Sequence, residues 1–147
     1  MMAGASIKVE GLRELQAALA ELPKATGRRV ALRALTKAAT PIADAGRANA
    51  PERKGYLKKS YGVGTKLTRR QRKVSKKESQ FEVYAGPGGD PAGVQTEFGN
   101  EHQAAEPHLR PAWDANKDRA LETIKEELWT EIEKAAQRLA RKAAKIK

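Results

Sequence analysis

From Pro111 onward, Leu121, Ile124, Leu128, Ile132, Ala135, Leu139, Ala143 and Ile146 recur at steps of three or four. That spacing puts them on one face of a long helix. Asp114 and Asp118 stand in its first turns, and Arg138, Arg141, Lys142, Lys145 and Lys147 crowd its end. Both placements complement the helix dipole. The stripe is long for a chain of 147 residues. Its last turns are expected to extend beyond the monomer, where they pack on a neighbour or fray.

The rest of the chain must supply the surface that covers this stripe. Near Gly11 a first helix begins, with Leu12, Leu15, Leu19 and Leu22 on one face and Pro23 as its end or kink. It is too short to be stable alone, so its leucines must pack on something. A second helix is predicted from about Thr26, a plausible N-cap, to Asn49. Its buried face reads Ala31, Ala34, Leu35, Ala38, Ile42 and Ala45, small residues that permit close approach. Pro41 should kink or split it, and Pro51 marks its exit. Aromatic residues make up only 5% of the chain, so the core must be built from Leu, Ile, Val and Ala.

The middle changes period. Tyr56 to Thr68 reads as a turn followed by a strand, with Tyr61, Val63 and Thr65 alternating against Gly62, Gly64 and Lys66. Phe81, Val83 and Ala85 suggest a second strand, and Val94 to Phe98 a third. Between the first two, Leu67 to Gln80 reads as a mobile loop or the tip of a long basic hairpin. The run from Gly86 to Pro91 is expected to be irregular. The whole is α+β: two N-terminal helices, a small antiparallel sheet with a long basic hairpin or loop, and a long C-terminal helix. Residues 1–147 form one domain on this reading, with a flexible start at 1–10 and a basic helical tail at 133–147.

Several function classes fall away. There is no cysteine, which excludes disulfide frameworks, thiolate metal sites and cysteine nucleophiles. No stretch reaches the roughly 20 apolar residues of a membrane helix. The start lacks a signal-peptide design. The chain is therefore expected to be soluble, with no membrane partner. His102 and His108, the two histidines, read as surface loop residues, and Asp90, Glu97 and Glu101 as loop acids. Ser60, Ser75 and Ser79 lie among lysines without a nucleophile elbow. Gly86-Pro87-Gly88-Gly89 lacks the Lys-Ser/Thr of a P-loop. No convergent acid, base and nucleophile set emerges. No catalytic residue, metal, cofactor or small-molecule substrate is expected.

Charge is the strong physical feature. The formal net charge is +11, which favours an acidic partner. Lys54, Lys58, Lys59, Lys66, Arg69, Arg70, Arg72, Lys73, Lys76 and Lys77 occur with no acid between the first and the last. Such residues contact phosphates in a salt-dependent, sequence-independent way. Aromatics for base stacking are limited to Tyr56 and Tyr61, so any DNA contact should be to the backbone. Either DNA or an acidic protein face fits these cations, as does a solvated loop.

Four local patterns then fall in order: Gly11-Leu12 with Leu15; Ala50 to Ser60, including Pro51, Gly55, Leu57 and Ser60; Val94 to Gly99, including Glu97, Phe98 and Gly99; and Pro107-His108-Leu109-Arg110-Pro111-Ala112. Together they resemble the gene-product-ten-like family of neck or tail-completion proteins of long-tailed siphophages. The resemblance runs from about Gly11 to about Ile132. Departures are His108, where an aromatic or bulky apolar residue is usual, and Ala92 to Thr96, where a tyrosine- or histidine-containing strand is usual. The resemblance implies a structural virion protein, made in the host cytoplasm and placed at the head–tail joint. It also implies a ring, hexameric to match the tail, between head-completion and tail rings. A tail terminator capping the tube is the neighbouring alternative, and a free sequence-independent DNA-binding protein the alternative of another class. Within the motif, Phe98 is expected in the core, Gly99 at an unusual backbone angle, and Arg110 paired with a carboxylate, across a subunit interface or within the chain.

Overall fold

A computed structural model describes residues 12–52, 55–77, 79–88 and 92–145. The start at 1–10, Gly11, Lys54, Asp90 and Ile146 therefore lie outside the described residues. Helices α1 (Leu12–Ala20) and α2 (Lys24–Asn49) are followed by the short helix α3 (Tyr56–Ser60) and strand β1 (Tyr61–Gly64). Then come α4 (Arg69–Val74), β2 (Tyr84–Pro87), α5 (Ala92–Phe98) and the long α6 (Leu109–Lys145).

α2 and α6 make the body. They run antiparallel, because Arg33 bonds Glu131 while Lys37 bonds Glu127 and Asn49 reaches the His108 carbonyl. The buried side of α2 is rich in small residues: Gly27, Ala31, Ala34, Ala38, Ala43 and Gly46 are all buried, with Gly27 against Leu19 and Gly46 against Tyr61. Small side chains let two backbones approach closely, which compensates for the scarcity of large ones. At one end, Leu15, Val30, Ile132 and Ala135 form a cluster closed by Leu19, Leu22 and Leu128. Burying a leucine or valine in such a cluster stabilises by roughly 1.5–3 kcal/mol. Further along, Ala38, Ile42 and Ala120 pack with Leu109 and Ile124, and beyond them Ala50, Leu57 and Tyr61 share Leu109.

Several expectations need correction. The N-cap of α2 is Pro23, not Thr26, and it makes no side-chain cap bond. Pro41 does not split α2, whose helical assignment is unbroken through Asn49. Leu35 and Ala45 are only half-buried, and Gly27, Val30, Ala43 and Gly46 share the buried face. α6 begins at Leu109 rather than after Pro111, because a proline early in a helix forfeits only an N–H with no intrahelical acceptor.

The middle departs further. β1 and β2 form an antiparallel hairpin in the register Tyr61 to Pro87 and Gly64 to Tyr84. The second strand therefore lies three residues beyond the predicted Phe81, and it includes Gly86 and Pro87, expected to be irregular. A two-stranded sheet is all edge, so a proline costs no obligatory ladder bond. The predicted third strand is the helix α5: Gly93, Thr96 and Glu97 are buried and Val94 exposed, a helical and not an alternating pattern. The predicted mobile basic loop contains α4, started by a capping box in which Thr68 accepts from the Gln71 N–H and Gln71 accepts from the Thr68 N–H.

Candidate functional site

α5 is tied to the start of α6 through one carboxylate. Glu97 Oε2 accepts from the backbone N–H groups of His108 and Leu109 at 2.7 and 2.9 Å. Its Oε1 accepts from the Arg110 backbone N–H at 2.9 Å and from Arg110 Nε at 3.0 Å. Arg110 Nη2 also donates to the Glu97 carbonyl at 2.8 Å. The next residue, Pro111, has no N–H. The open donors at this helix start are thus satisfied by a single buried acid. Burial alone would raise the Glu97 pKa. The backbone bonds from His108, Arg110 and Leu109 and the Arg110 side chain outweigh it and hold the carboxyl at about 2. The arrangement is a helix-start latch across the ten-residue loop 99–108, built by the glutamate and arginine of two separate sequence motifs.

Around the latch sits a closed polar cluster. The Tyr61 hydroxyl and His108 Nδ1 share a short hydrogen bond, with the two rings edge to face. His108 Nε2 lies 3.5 Å from Glu97 Oε2 and, unlike Nδ1, makes no hydrogen bond. Burial, then the Glu97 charge, raises the Tyr61 pKa. Arg47 on α2 donates from Nη2 to the Tyr61 carbonyl, from Nε to the Lys58 carbonyl, and from Nη1 to Asp44. Tyrosine, histidine and carboxylate in a row resemble a proton relay, yet their exposures are 4%, 0% and 5%. A site without solvent contact has no path for substrate. Its chemistry is structural.

Gly99 closes α5 in the left-handed region, φ +74, as expected of it. A Cβ there would meet the Ala105 backbone N at 2.8 Å. Phe98, expected in the core, is 63% exposed, and the Arg110 guanidinium stacks over its ring at 4.8 Å. Helical geometry explains the reversal, since Glu97 and Phe98 cannot share a face.

Residues 13–99 match the model of a family described as "Bacteriophage HK97-gp10, putative tail-component". The chain belongs to the HK97-gp10-like family. This HK97-gp10-like match takes in α1 to α5 and stops at Gly99, so the Pro107 to Ala112 motif and α6 lie beyond it. No curated protein and no solved structure matches the chain. Among the described residues, no helix is long and apolar enough to cross a membrane, and no group of three or more His, Asp or Glu can hold a metal ion.

The basic residues of this HK97-gp10-like chain divide into groups. Lys58 is structural: its ammonium donates to the Arg47 carbonyl and pins α3 to the end of α2. Lys59, Lys66, Arg69, Arg70, Arg72, Lys73, Lys76 and Lys77 are exposed. Among the described residues the Lys and Arg ion pairs belong to Arg33, Lys37, Arg47, Arg110 and Lys117, and to no cation of 66–77. The motif residues are mostly framework. Leu57 is buried, Ser60 Oγ donates to the Leu57 carbonyl, and Gly55 starts α3 at φ +79. Pro51 is half-buried at the exit of α2, Leu109 joins two core clusters, and Pro107 and Pro111 are exposed.

His102 is the exposed loop residue expected; His108 and Glu97 are the reverse of what was expected, both buried. Sequence reasoning missed Tyr61, Arg47 and Asn49 as members of the cluster. The one available signal was a histidine and an arginine flanking a leucine between two prolines, just where a helix start must find acceptors.

Proposed function

We propose that the chain is the repeating subunit of a ring at the joint between the head and tail of a tailed bacteriophage, where it completes the tail. The observation that carries this reading is the overhang of α6. Its apolar stripe is buried as far as Ala135, after which residues 136–145 are all exposed, Leu139 included. At 1.5 Å per residue, ten residues project about 15 Å from the body. Helix with nothing to cover it is suited to a neighbouring subunit. Phe98, Val94 and Trp113, all more than half exposed near the start of α6, add apolar surface at the other end. Separate patches at two ends suit a head-to-tail contact that closes into a ring. Hexameric symmetry, matching the tail, and flanking head-completion and tail rings complete the proposal. The particle then carries the chain as a virion component, with the basic face of 59–77 turned to packaged DNA or to an acidic neighbour.

Reconstruction of the particle tests this. A closed ring of this chain between the head and the tail tube supports the proposal; a ring capping the tube itself makes it a tail terminator. The net charge of +11 favours one reading of another class, a sequence-independent DNA-binding protein. That reading requires tight duplex binding by a monomer that never enters particles.

A further inference from the structure

The hairpin and α4 enclose a cleft of about 460 Å³. Into it face Lys66 from the end of β1, Arg72 from α4, and Lys77 from the segment after α4. Thr65, Leu67, Ser75 and Tyr84 complete the wall. The Tyr84 hydroxyl is already committed, donating to Glu82 at 2.5 Å, and Glu82 also accepts from the Ser79 N–H. Arg69, Arg70 and Lys73 stand on the same short helix but outside the lining. What the sequence presents as one diffuse basic run is therefore divided by the fold. Three cations converge on one concavity, and the others point elsewhere.

We propose that this cleft is a seat for a single phosphodiester group of duplex DNA. Convergence is costly in the absence of an anion, because like charges repel, and none of the three cations has an ion-pair partner among the described residues. A tetrahedral oxyanion takes donors from several directions at once. The guanidinium of Arg72, the ammoniums of Lys66 and Lys77 and the hydroxyls of Thr65 and Ser75 are the donors that the lining offers. Tyr84 is the one aromatic in the wall, so the cleft has no platform for successive bases and reads the backbone alone. The seat deepens the reading of the basic face as DNA-facing, and stands whether or not the subunits form a ring.

Counterion release gives a test specific to convergence. The logarithmic salt slope counts phosphates neutralised, about 0.9 per phosphate on duplex DNA. Three cations on one phosphate should together contribute about 0.9 to that slope, and three on separate phosphates about 2.7. The full chain is titrated with a 30-base-pair duplex by fluorescence anisotropy at several salt concentrations. Variants are Lys66→Ala, Arg72→Ala, Lys77→Ala, their triple, and a control triple of Arg69→Ala, Arg70→Ala and Lys73→Ala. The seat predicts that each single loses most of what the cleft triple loses, at least about tenfold, with a slope reduced by about 0.9. Inorganic phosphate titrated into the unaltered protein should shift the amide resonances of residues 65–77 and Tyr84, a readout that does not depend on any variant folding. A slope reduced by about 2.7, equal loss in the control triple, or amides blind to phosphate overturns the seat. So does polyglutamate competing as well as duplex, which indicates an acidic protein partner, or anionic phospholipid vesicles binding where duplex does not. A ring in the particle with a phosphate-blind cleft rejects the seat alone. Duplex binding by a chain absent from the particle rejects the ring alone.

Discussion

Replacing Glu97 by Gln keeps the shape of the latch and removes its charge. The carboxylate takes four N–H bonds at the start of α6, and the carboxamide presents an NH2 to two of those donors. The magnitude follows from linkage. A pKa held at about 2, against an ordinary 4.5, stabilises the folded state at neutral pH. At about 1.4 kcal/mol per pKa unit, this comes to about 3 kcal/mol. The group is buried, so solvent screening removes little of it. For a chain of this size that is a fall of roughly 10 °C in the unfolding midpoint. The pH dependence has a definite sign. A depressed carboxylate contributes fully above its unfolded pKa, and loses its contribution as pH falls from about 4.5 through about 2. Urea unfolding of both proteins from pH 7 to pH 2 is the assay. The stability difference should be constant down to about pH 4.5 and shrink below it. A difference under about 1 kcal/mol at pH 7, or one unchanged at pH 2, would refute the latch.

Four further outcomes follow from the same geometry. Tyr61→Phe leaves His108 Nδ1 without its partner in a fully buried site and should cost about 1–3 kcal/mol in urea unfolding. Gly99→Ala should cost about 2 kcal/mol, because φ is +74 and the new methyl meets backbone and not a movable side chain; a neutral result contradicts the close approach. Gly46→Ala puts a Cβ 2.5 Å from the Tyr61 ring, so a loss of roughly 1–3 kcal/mol with a changed tyrosine fluorescence is expected. Removing residues 136–147 should change stability by less than about 0.5 kcal/mol, since residues 136–145 are all exposed, while abolishing self-association in sedimentation.

The long helices were legible because their cores are periodic. Leu15, Ile132 and Ala135 are where the stripes place them, and the hairpin was foreseen in kind if not in register. The errors have separate causes. Val94 to Phe98 is short, and over so few residues a two-residue and a four-residue period are hard to separate, whereas Leu67 to Gln80 has too few apolar residues to show any period, and α4 within it starts on the Thr68–Gln71 capping box. Hydrophobicity favours Phe98 for the inward position, whereas its neighbour Glu97 takes it because the start of α6 needs an acceptor there. That need arises from residues a dozen positions away, and no local pattern carries it. For the same reason His108 gave no sign of being buried. The basic run was visible as composition, but only the fold separates Lys66, Arg72 and Lys77 from the cations beside them.

A cryo-EM reconstruction of the tailed particle tests the central claim most directly. The account predicts a closed ring of this chain at the junction of head and tail, with residues 136–145 of each subunit packed against the next. A particle whose junction holds no copy of this chain, or copies whose α6 ends stand free of any neighbour, contradicts it.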